Sequence, residues 1–577
     1  MTEPSLLGVM LGLVFYAISA SPSLLPRRWW WHGFVSGPVT ALGYTLGWGI
    51  SNGIGFLARA TGLRVTGPPE LFFYVKWTAV VLVAAWVVYA SVKAYRASRE
   101  AALLVNIKPV GFGEYLLGLL ATAVMFVITM ALVYALTRIF VMVTDILGHW
   151  LPWFLSWTVA AVVAVGVVLV ISNKVVFRLF MAYFAKAAAG LNARTNAHLS
   201  PPAVPERSGS PFSEASWESI GAQGRLFLGH GPSAQKISEV TGRPAIEPVR
   251  IYIGLPAGEK NIDRVVDEAV RELRRAGGFE RAVLVVYTAT GSGWVDEWVC
   301  QPLEYMTGGD CAIVTIQYSY LFSAAMMVSD RSACENAGTA LFEAVESEVQ
   351  KLPEDERPLV IVSGESLGAY GSQAPFSSAE ELNRRTDGAL WVGSPSISRL
   401  SSQLTENRQG GSPEVAPVVD SGHNIRFVNN PSQLDKDLYG RDLGPWNFPR
   451  SVFLQHASDP VVFYNTSLAF SEPDWLRERV GPDVSPEMRY TPLVTYLQVL
   501  TDLPVGGLAP AGHGHTYNRE LLDVWIKLLA LDEEQARGLV ASGHWVTPSM
   551  KNRIADAIDA DLANYHKGLK DPPPDES

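Results

Sequence analysis

Apolar positions are not spread evenly along the chain, because before residue 190 they gather into long runs with few charges. The runs lie at about 5–25, 33–57, 71–92, 114–137 and 150–172. Each run is close to the ~20 residues that a helix needs to cross a bilayer. Tryptophans lie near several of the run ends, as in an interfacial aromatic belt. We therefore expect residues 1–190 to form an all-α transmembrane domain with about five spans.

A further apolar stretch, residues 175–186, carries the two cations Arg178 and Lys186. Long basic side chains can reach the headgroups, so this pattern favours a helix lying on the membrane over a sixth span. Lysine and arginine are concentrated in the loops after the first, third and fifth runs. This bias predicts a multi-pass protein of the plasma (inner) membrane with an external N-terminus and a cytoplasmic C-terminal domain. The three cysteines form no disulfide framework, which agrees with a reducing compartment.

The pattern changes after residue 190. Residues 191–245 are a linker and lead-in segment that is rich in Pro and Ser over 200–215. Short apolar strands then alternate with helical stretches, which predicts a mostly parallel sheet with helices on both faces, an α/β fold, over residues 246–566. The predicted strands are Val249–Ile253, Ala282–Tyr287, Ala312–Gln317, Leu359–Ser363, Ala389–Gly393 and Ser451–Gln455.

Three further segments have no strand assigned to them. Two long excursions, 396–448 and 465–509, separate the last predicted strands from a histidine-rich loop, and we expect them to form a lid or substrate-binding cap. The tail, residues 567–577, is expected to be disordered.

The most informative segment follows the apolar strand that begins at Leu359. Gly364, Ser366 and Gly368 match the G-x-S-x-G nucleophile elbow, in which a strand turns sharply into a helix. A side chain at either glycine would crowd the serine backbone. We therefore expect the Ser366 hydroxyl to be the nucleophile, with the N–H of Leu367 directed at the oxygen of the carbonyl that it attacks.

Candidate partners of the serine follow later in the chain. Asp459 lies at the carboxyl end of the last predicted strand, where open α/β sheets carry functional groups. His513 and His515 lie in the loop Gly-His-Gly-His before a predicted helix, and we favour His515 as the base while leaving His513 as the alternative. The order Ser…Asp…His is that of α/β-hydrolases. An imidazole would take the serine proton, and a carboxylate would fix its tautomer.

A second oxyanion donor is expected in the loop after the strand Ala282–Tyr287. That loop reads Thr-Gly-Ser-Gly-Trp, and its glycines let backbone amides approach a ligand closely. Thr290, Gly291 and Ser292 are the candidate donors, and the sequence does not distinguish among them. The loop is too short for a phosphate-binding loop and lacks its lysine, which argues against a nucleotide.

Composition narrows the class of partner. The formal net charge is −10 and the C-terminal half has no basic stripe, so nucleic acid is not an expected partner. No Cys or carboxylate cluster accompanies the histidines, and we expect neither a metal nor a cofactor. The bilayer and an acyl ester are the expected partners, while the oligomeric state is left open.

Several of these motifs together resemble a known family. The segments are Ser-Pro-Ser-Leu-Leu-Pro-Arg (21–27), Thr-Gly-Ser-Gly-Trp (290–294), Gln-Tyr-Ser-Tyr-Leu (317–321), Gly-Glu-Ser-Leu-Gly-Ala-Tyr-Gly (364–371), Trp-Val-Gly-Ser-Pro (391–395) and the Gly-His-Gly-His loop. With the apolar runs, they make the chain similar to the bacterial, actinobacterial-type membrane-anchored α/β-hydrolases. The resemblance implies the α/β-hydrolase fold and a Ser366–Asp459–His515 triad, and it implies little about the substrate.

The expected function is therefore that of a membrane-bound serine hydrolase of the lipase–esterase type, which cleaves a carboxylic ester, expected to be that of a lipid, through an acyl-enzyme. An acyltransferase or thioesterase would use the same triad, and the sequence does not separate these reactions. A non-catalytic membrane sensor or scaffold is the alternative from another class, although a binding module has no need of the three residues.

Overall fold

The computed structural model describes residues 5–62, 68–170, 186, 188, 190–193, 199–256, 261–530 and 546–570. The chain packs into two compact units, and each is made of two chain segments. The helical unit comprises Met1–Phe180 and Tyr464–Pro510, and the sheet unit comprises Met181–Phe463 and Ala511–Ser577. The excursion expected to form a cap over 465–509 thus packs with the N-terminal helices.

The elements are named in chain order. The strands are β1 (Val249–Ile253), β2 (Val283–Thr288), β3 (Cys311–Ile316), β4 (Leu359–Glu365), β5 (Gly388–Val392), β6 (Ile425–Val428) and β7 (Arg450–Leu454). The helices are α1 (Leu6–Ser19), α2 (Trp29–Thr61), α3 (Pro69–Leu104), α4 (Phe112–Gly148), α5 (Trp153–Val170), α6 (Ala222–Gly229), α7 (Ala234–Thr241), α8 (Ile262–Arg275), α9 (Glu297–Met306), α10 (Ser323–Ser329), α11 (Arg331–Val349), α12 (Leu367–Gln373), α13 (Ala379–Arg385), α14 (Arg399–Glu406), α15 (Pro460–Phe463), α16 (Asp474–Arg477), α17 (Val494–Gly506), α18 (Glu520–Leu528) and α19 (Pro548–Lys570). Short 3-10 turns occupy Trp217–Ser219, Glu354–Glu356, Asp420–Gly422, Pro431–Leu434 and Thr466–Ala469.

Helices occupy each of the five apolar runs. Among the described residues, two helices are long and apolar enough to cross a membrane, Glu70–Leu104 and Phe112–Gly148, while Leu6–Ser19 and Trp153–Ala164 are apolar but shorter. The predicted interfacial helix at 175–186 lies outside the described residues except for its last position. Residues 567–570 of the expected disordered tail belong to α19, and 571–577 lie outside the described part of the chain.

Glycines on α2 set the packing of the helical unit. A methyl group at Gly43 or Gly47 would lie 2.6 or 2.5 Å from backbone oxygens of α1. A methyl group at Gly33 or Gly37 would lie 2.4 Å from a Cβ atom of α4. These are two small-xxx-small pairs on one helix, each facing a different neighbouring helix, and such pairs let helix backbones approach closely in lipid. The Gly-rich second run is therefore a central helix packed against α1 and α4.

The sheet unit is built on a seven-stranded, wholly parallel sheet with the order β1-β3-β2-β4-β5-β7-β6. Alternate strand residues enter two hydrophobic cores, for example Val285 and Ile361 on one face and Val286 and Val362 on the other. Strands buried on both faces read as continuous apolar runs, which is why six of the seven were visible in the sequence. The parallel direction brings the carboxyl ends of β2, β4, β5 and β7 to one edge.

Candidate active site

Ser366 occupies the sharp turn between β4 and α12. Its backbone φ of 55° and ψ of −124° lie outside the helical and strand regions, a strained conformation for a residue with a side chain. Two backbone hydrogen bonds hold the turn: the Ser366 N–H donates to Val392 O at 2.9 Å, and the Tyr370 N–H donates to Ser366 O at 3.1 Å. Leu367 is the first residue of α12, and the first N–H groups of a helix have no intrahelical acceptor.

The two elbow glycines are required by close backbone contacts. A Cβ at Gly364 would lie 2.5 Å from the carbonyl carbon of Gly368. A Cβ at Gly368 would lie 2.2 Å from Thr288 O, at the end of β2. Real Cβ atoms essentially never come within 3.0 Å of such neighbours. The elbow helix therefore lies directly against the end of β2, which leads into the loop that carries the expected oxyanion donors.

Asp459 and His515 come together in this unit. The Asp459 carboxylate is fully buried, and its Oδ2 lies 2.7 Å from His515 Nδ1. The other ring nitrogen of His515, Nε2, is buried and has no hydrogen-bond partner in the described part of the chain. A Cβ at Gly393 would lie 2.6 Å from Cε1 of His515, so the imidazole lies on the end of β5. The preceding residue, Val392, accepts the hydrogen bond from the Ser366 N–H, so the ends of β4 and β5 bring the two residues to neighbouring positions.

Tyr517 is a residue that the sequence reasoning did not assign. Its hydroxyl donates to Asp459 Oδ2 at 2.7 Å and accepts the backbone N–H of His456 at 3.1 Å. The N–H of Val461 donates to the second carboxylate oxygen of Asp459 at 2.8 Å. Burial, followed by the charge of Asp459, raises the pKa of Tyr517, so the hydroxyl stays protonated and remains a donor. Three donors therefore fix the orientation of the Asp459 carboxylate.

His456 fixes the histidine loop. Its Nδ1 lies 2.9 Å from Gly514 O, and its Nε2 lies 3.1 Å from Glu520 Oε1 of α18. Its ring stacks on that of Tyr517, with 4.0 Å between centroids. The Gly514 N–H in turn donates to Ser458 Oγ at 2.8 Å. The loop that carries His515 is therefore held by the segment after β7 that carries Asp459. This contact joins distant parts of the chain, and residue spacing in the sequence does not predict it.

The oxyanion loop has a defined backbone arrangement. The Thr290 N–H donates to Trp294 O at 3.0 Å, and the Gly291 N–H faces Ser323 Oγ at 3.4 Å. Thr290 is thus engaged in closing its own turn, while Gly291 makes only a long contact. The carbonyl of Ser292 accepts from Gln317 Nε2 at 3.1 Å, which fixes the loop from behind. Among the three candidate donors, Gly291 and Ser292 keep the more available amides.

Two buried carboxyl groups lie behind the elbow. Glu365, the residue before Ser366, is hydrogen-bonded to Asp296, which also caps α9 by accepting the Trp298 N–H at 3.0 Å. Burial, then the charge of Asp296, its hydrogen bond and the charge of Asp459, raises the pKa of Glu365 well above its usual range. Burial also raises the pKa of Asp296. Glu365 is therefore the neutral donor of the pair, and the pair carries less negative charge than two free carboxylates.

The other predicted base, His513, lies two residues away in the same loop. It makes a short antiparallel bridge with Thr516, whose N–H donates to His513 O at 3.2 Å. The contact with the Asp459 carboxylate is made by His515. Within the described residues, no group of three or more His, Cys, Asp or Glu side chains could hold a metal ion.

A wholly parallel sheet with an elbow serine after β4, a buried aspartate after β7 and an aspartate-bound histidine before α18 defines a protein of the α/β-hydrolase class. Comparison with family models agrees: an alpha/beta-hydrolase family model matches residues 249–539, just over half of the chain. A second model, for the N-terminus of an alpha/beta-hydrolase family, matches residues 20–232. The chain belongs to the alpha/beta-hydrolase family. No curated protein and no solved structure matches it.

Proposed function

We propose that the protein is a membrane-bound serine hydrolase that cleaves a carboxylic ester of a lipid through an acyl-enzyme. The observation that carries the proposal is the 2.7 Å contact of His515 Nδ1 with the buried Asp459. It leaves Nε2 of the imidazole, which lies against Gly393, without a hydrogen-bond partner among the described residues. An imidazole held in this way presents a basic nitrogen where a serine proton would be taken.

In the proposed reaction, Ser366 Oγ attacks the ester carbonyl carbon and passes its proton to Nε2 of His515. The tetrahedral oxyanion receives hydrogen bonds from the N–H of Leu367 and from that of Gly291 or Ser292. The carbonyl re-forms as the alcohol leaves with the proton from His515. Water then attacks the acyl-enzyme with His515 as the base, which releases a carboxylic acid and restores the serine.

The lipid part of the proposal rests on the surface of the helical unit. Val81, Leu82, Val88 and Tyr89 of α3 are each more than 60% exposed, and α4 has a similarly apolar surface. Apolar patches of this extent are costly in water and are stable in contact with acyl chains. An enzyme held in a bilayer meets lipid esters at high local concentration. The span count and the cytoplasmic side of the sheet unit remain predictions from the sequence.

A fluorophosphonate probe tests the catalytic part. Purified full-length protein in nanodiscs should be labelled on the peptide that carries Ser366, and Ser366→Ala should abolish the label. His515→Ala should also abolish labelling, whereas the matched control His513→Ala should keep it. Failure of folded wild-type protein to react would count against the serine-hydrolase proposal. If His513→Ala lost the label while His515→Ala kept it, His513 would be the base.

The lipid part is tested separately with the same preparation. A short-chain reporter ester and a cell-envelope lipid extract are supplied to wild-type protein and to Ser366→Ala, and the products are identified by lipid mass spectrometry. Release of long-chain acids by the wild type alone supports the proposal. Cleavage of only the short-chain reporter would mean that the substrate is not a membrane lipid.

A further inference from the structure

A second imidazole, that of His456, is buried against the loop that carries the proposed base, and the proposed reaction does not use it. His456 lies just after β7; 3% of its side chain is exposed, as is 14% of that of Glu520. Its Nδ1 lies 2.9 Å from Gly514 O, and its Nε2 lies 3.1 Å from Oε1 of Glu520, the first residue of α18. The two ring nitrogens therefore contact the chain on either side of His515.

The two oxygens decide how many protons this pair of side chains holds. A backbone carbonyl only accepts hydrogen bonds, so Nδ1 of His456 must carry a hydrogen. A neutral imidazole would then present the lone pair of Nε2 to the Glu520 oxygen, and two acceptors 3.1 Å apart would repel each other. The contact is a hydrogen bond only if one further proton lies between them, as in an imidazolium bound to a carboxylate. The pair of His456 and Glu520 therefore holds one proton more than a neutral imidazole beside an ionised carboxylate.

The surroundings of the pair favour a positive charge on His456. The titratable and charged groups on the elements around it are Asp296 before α9, Glu365 of β4, Asp459 after β7, His515 and Tyr517 of the histidine loop, and Arg519 beside Glu520. The His456 ring stacks on that of Tyr517, with 4.0 Å between centroids and 14° between planes, and the face of an aromatic ring attracts cations. Tyr517 in turn donates to the buried carboxylate of Asp459, whose negative charge stabilises a nearby cation.

The loop that carries the base depends on contacts of this kind. Gly512 and Gly514 have positive φ values of 82° and 55°, and ordering a glycine costs more conformational entropy than ordering any other residue. His456 holds Gly514 O from one ring nitrogen and Glu520 from the other. One buried ring thus ties together the two ends of the segment that contains His515.

We propose that His456 and Glu520 share a proton and position the base, so that loss of this proton at alkaline pH lowers turnover. With the proton, the ring anchors the chain on both sides of His515. Without it, Nε2 and the carboxylate repel each other, and His515 loses one of the two contacts that hold its segment. The inference rests on the proposed serine hydrolysis, and it adds to that reaction two positioning residues that do not touch the substrate.

The pH dependence of turnover tests the shared proton. Full-length protein in nanodiscs is given a short-chain reporter ester, p-nitrophenyl acetate, at pH 6 to 10, and kcat and KM are measured separately. Wild-type kcat should fall by about tenfold along an alkaline limb, with little change in KM, as expected when a buried polar group loses its partner. Glu520→Gln should keep most of kcat at pH 7 and lack this limb, because its amide donates to Nε2 of a neutral imidazole at every pH. The matched control Asp523→Asn, which removes a carboxylate of the same helix that pairs with Lys551 instead, should keep the wild-type profile.

Glu520→Ala and His456→Phe remove the hydrogen bond altogether and should lower kcat at pH 7 by about tenfold with little change in KM. His456→Phe keeps a ring against Tyr517, so a role in packing alone would leave its kcat unchanged. If either variant fails to fold, Glu520→Gln decides, since it keeps the hydrogen bond. A wild-type profile without an alkaline limb, or the same limb in Glu520→Gln, would overturn the shared proton. Fluorophosphonate labelling of wild-type Ser366 at pH 7 separates that result from a failure of the serine-hydrolase proposal, in which no label appears.

Discussion

A methyl group at Gly368 is the sharpest test of the elbow. The added Cβ of Gly368→Ala would lie 2.2 Å from Thr288 O and 3.2 Å from Ala289 O, whereas ordinary contact begins at 3.4 Å. The nearest atom belongs to the backbone of β2, which is paired with both β3 and β4 and has little freedom to move. The elbow helix must therefore shift by about 1 Å to relieve the overlap.

Overpacking of this kind costs about 1–3 kcal/mol of stability. The effect on turnover should be larger, because a displacement of about 1 Å at a nucleophile can cost on the order of 10²-fold in rate. Gly368→Ala should therefore lower kcat for a short-chain ester by about 10²-fold or more, with a smaller loss of melting temperature. The rate of fluorophosphonate labelling at Ser366 should fall in parallel.

Gly410→Ala is the matched control. Nothing lies within 4 Å of a Cβ at Gly410, so this variant should keep the kcat and melting temperature of the wild type. If Gly368→Ala stayed within a few-fold of wild-type turnover while folded, the close contact of the elbow with β2 would not be what positions Ser366, and the steric argument would be refuted.

Three further predictions concern the groups around Asp459. Glu365→Gln should keep most of the activity, because the raised pKa of Glu365 keeps its side chain a neutral acid, which an amide resembles. Glu365→Ala should lose activity, and kcat and melting temperature are the measurements for both variants. Tyr517→Phe leaves Asp459 and the N–H of His456 each one partner short, and should lower the free energy of unfolding by about 1–3 kcal/mol and lower kcat more than it changes KM; unchanged stability would contradict it. Burial raises the pKa of Asp296 to about 7, so the folded protein keeps on this side chain a proton that the unfolded chain releases near pH 4. The contribution of Asp296 to stability is therefore greatest at low pH and falls as the pH rises to about 7. Melting temperatures from pH 5 to 8 should therefore fall less steeply in Asp296→Asn than in wild type, and equal slopes would argue against the assignment.

Much of the sheet was predictable because its strands are buried on both faces. β1 has the predicted bounds, and the other five predicted strands differ by one or two residues at their ends. The strand that the sequence reasoning missed, β6, is a four-residue edge strand interrupted by Arg426. That arginine is buried because it donates to Gly422 O and Gly444 O and lies over the Trp446 ring at 4.8 Å. A buried cation breaks the apolar run on which the prediction of strands depends.

Part of the candidate site could likewise be predicted from local sequence patterns, and part could not. Ser366, Asp459 and His515 follow strands or precede a helix in a recognisable order, so their positions could be read from local patterns. Tyr517 lies only two residues after His515, but its contact with Asp459 depends on the packing of two loops that are far apart in the chain. The pairing of Glu365 with Asp296 depends likewise on how β4 lies beside the loop after β2. Such contacts are properties of the fold, and residue spacing does not encode them.

The chain passes from the sheet unit into the helical unit after Asp459 and returns before His515. After Asp459 the chain enters the helical unit at Tyr464, contributes α17, and leaves at Pro510, five residues before His515. Within the helical unit, Gln498 donates to Ser21 O at 3.1 Å and the Trp31 indole donates to Thr501 O at 2.5 Å. The Asp502 carboxylate accepts from the Ser23 hydroxyl. A chain that began after the Pro/Ser-rich linker would keep this segment but lose every one of these partners, leaving buried polar groups unpaired. Asp459 and His515 are therefore joined along the chain by a segment of the helical unit, and full-length protein is the form in which the proposed activity should be measured.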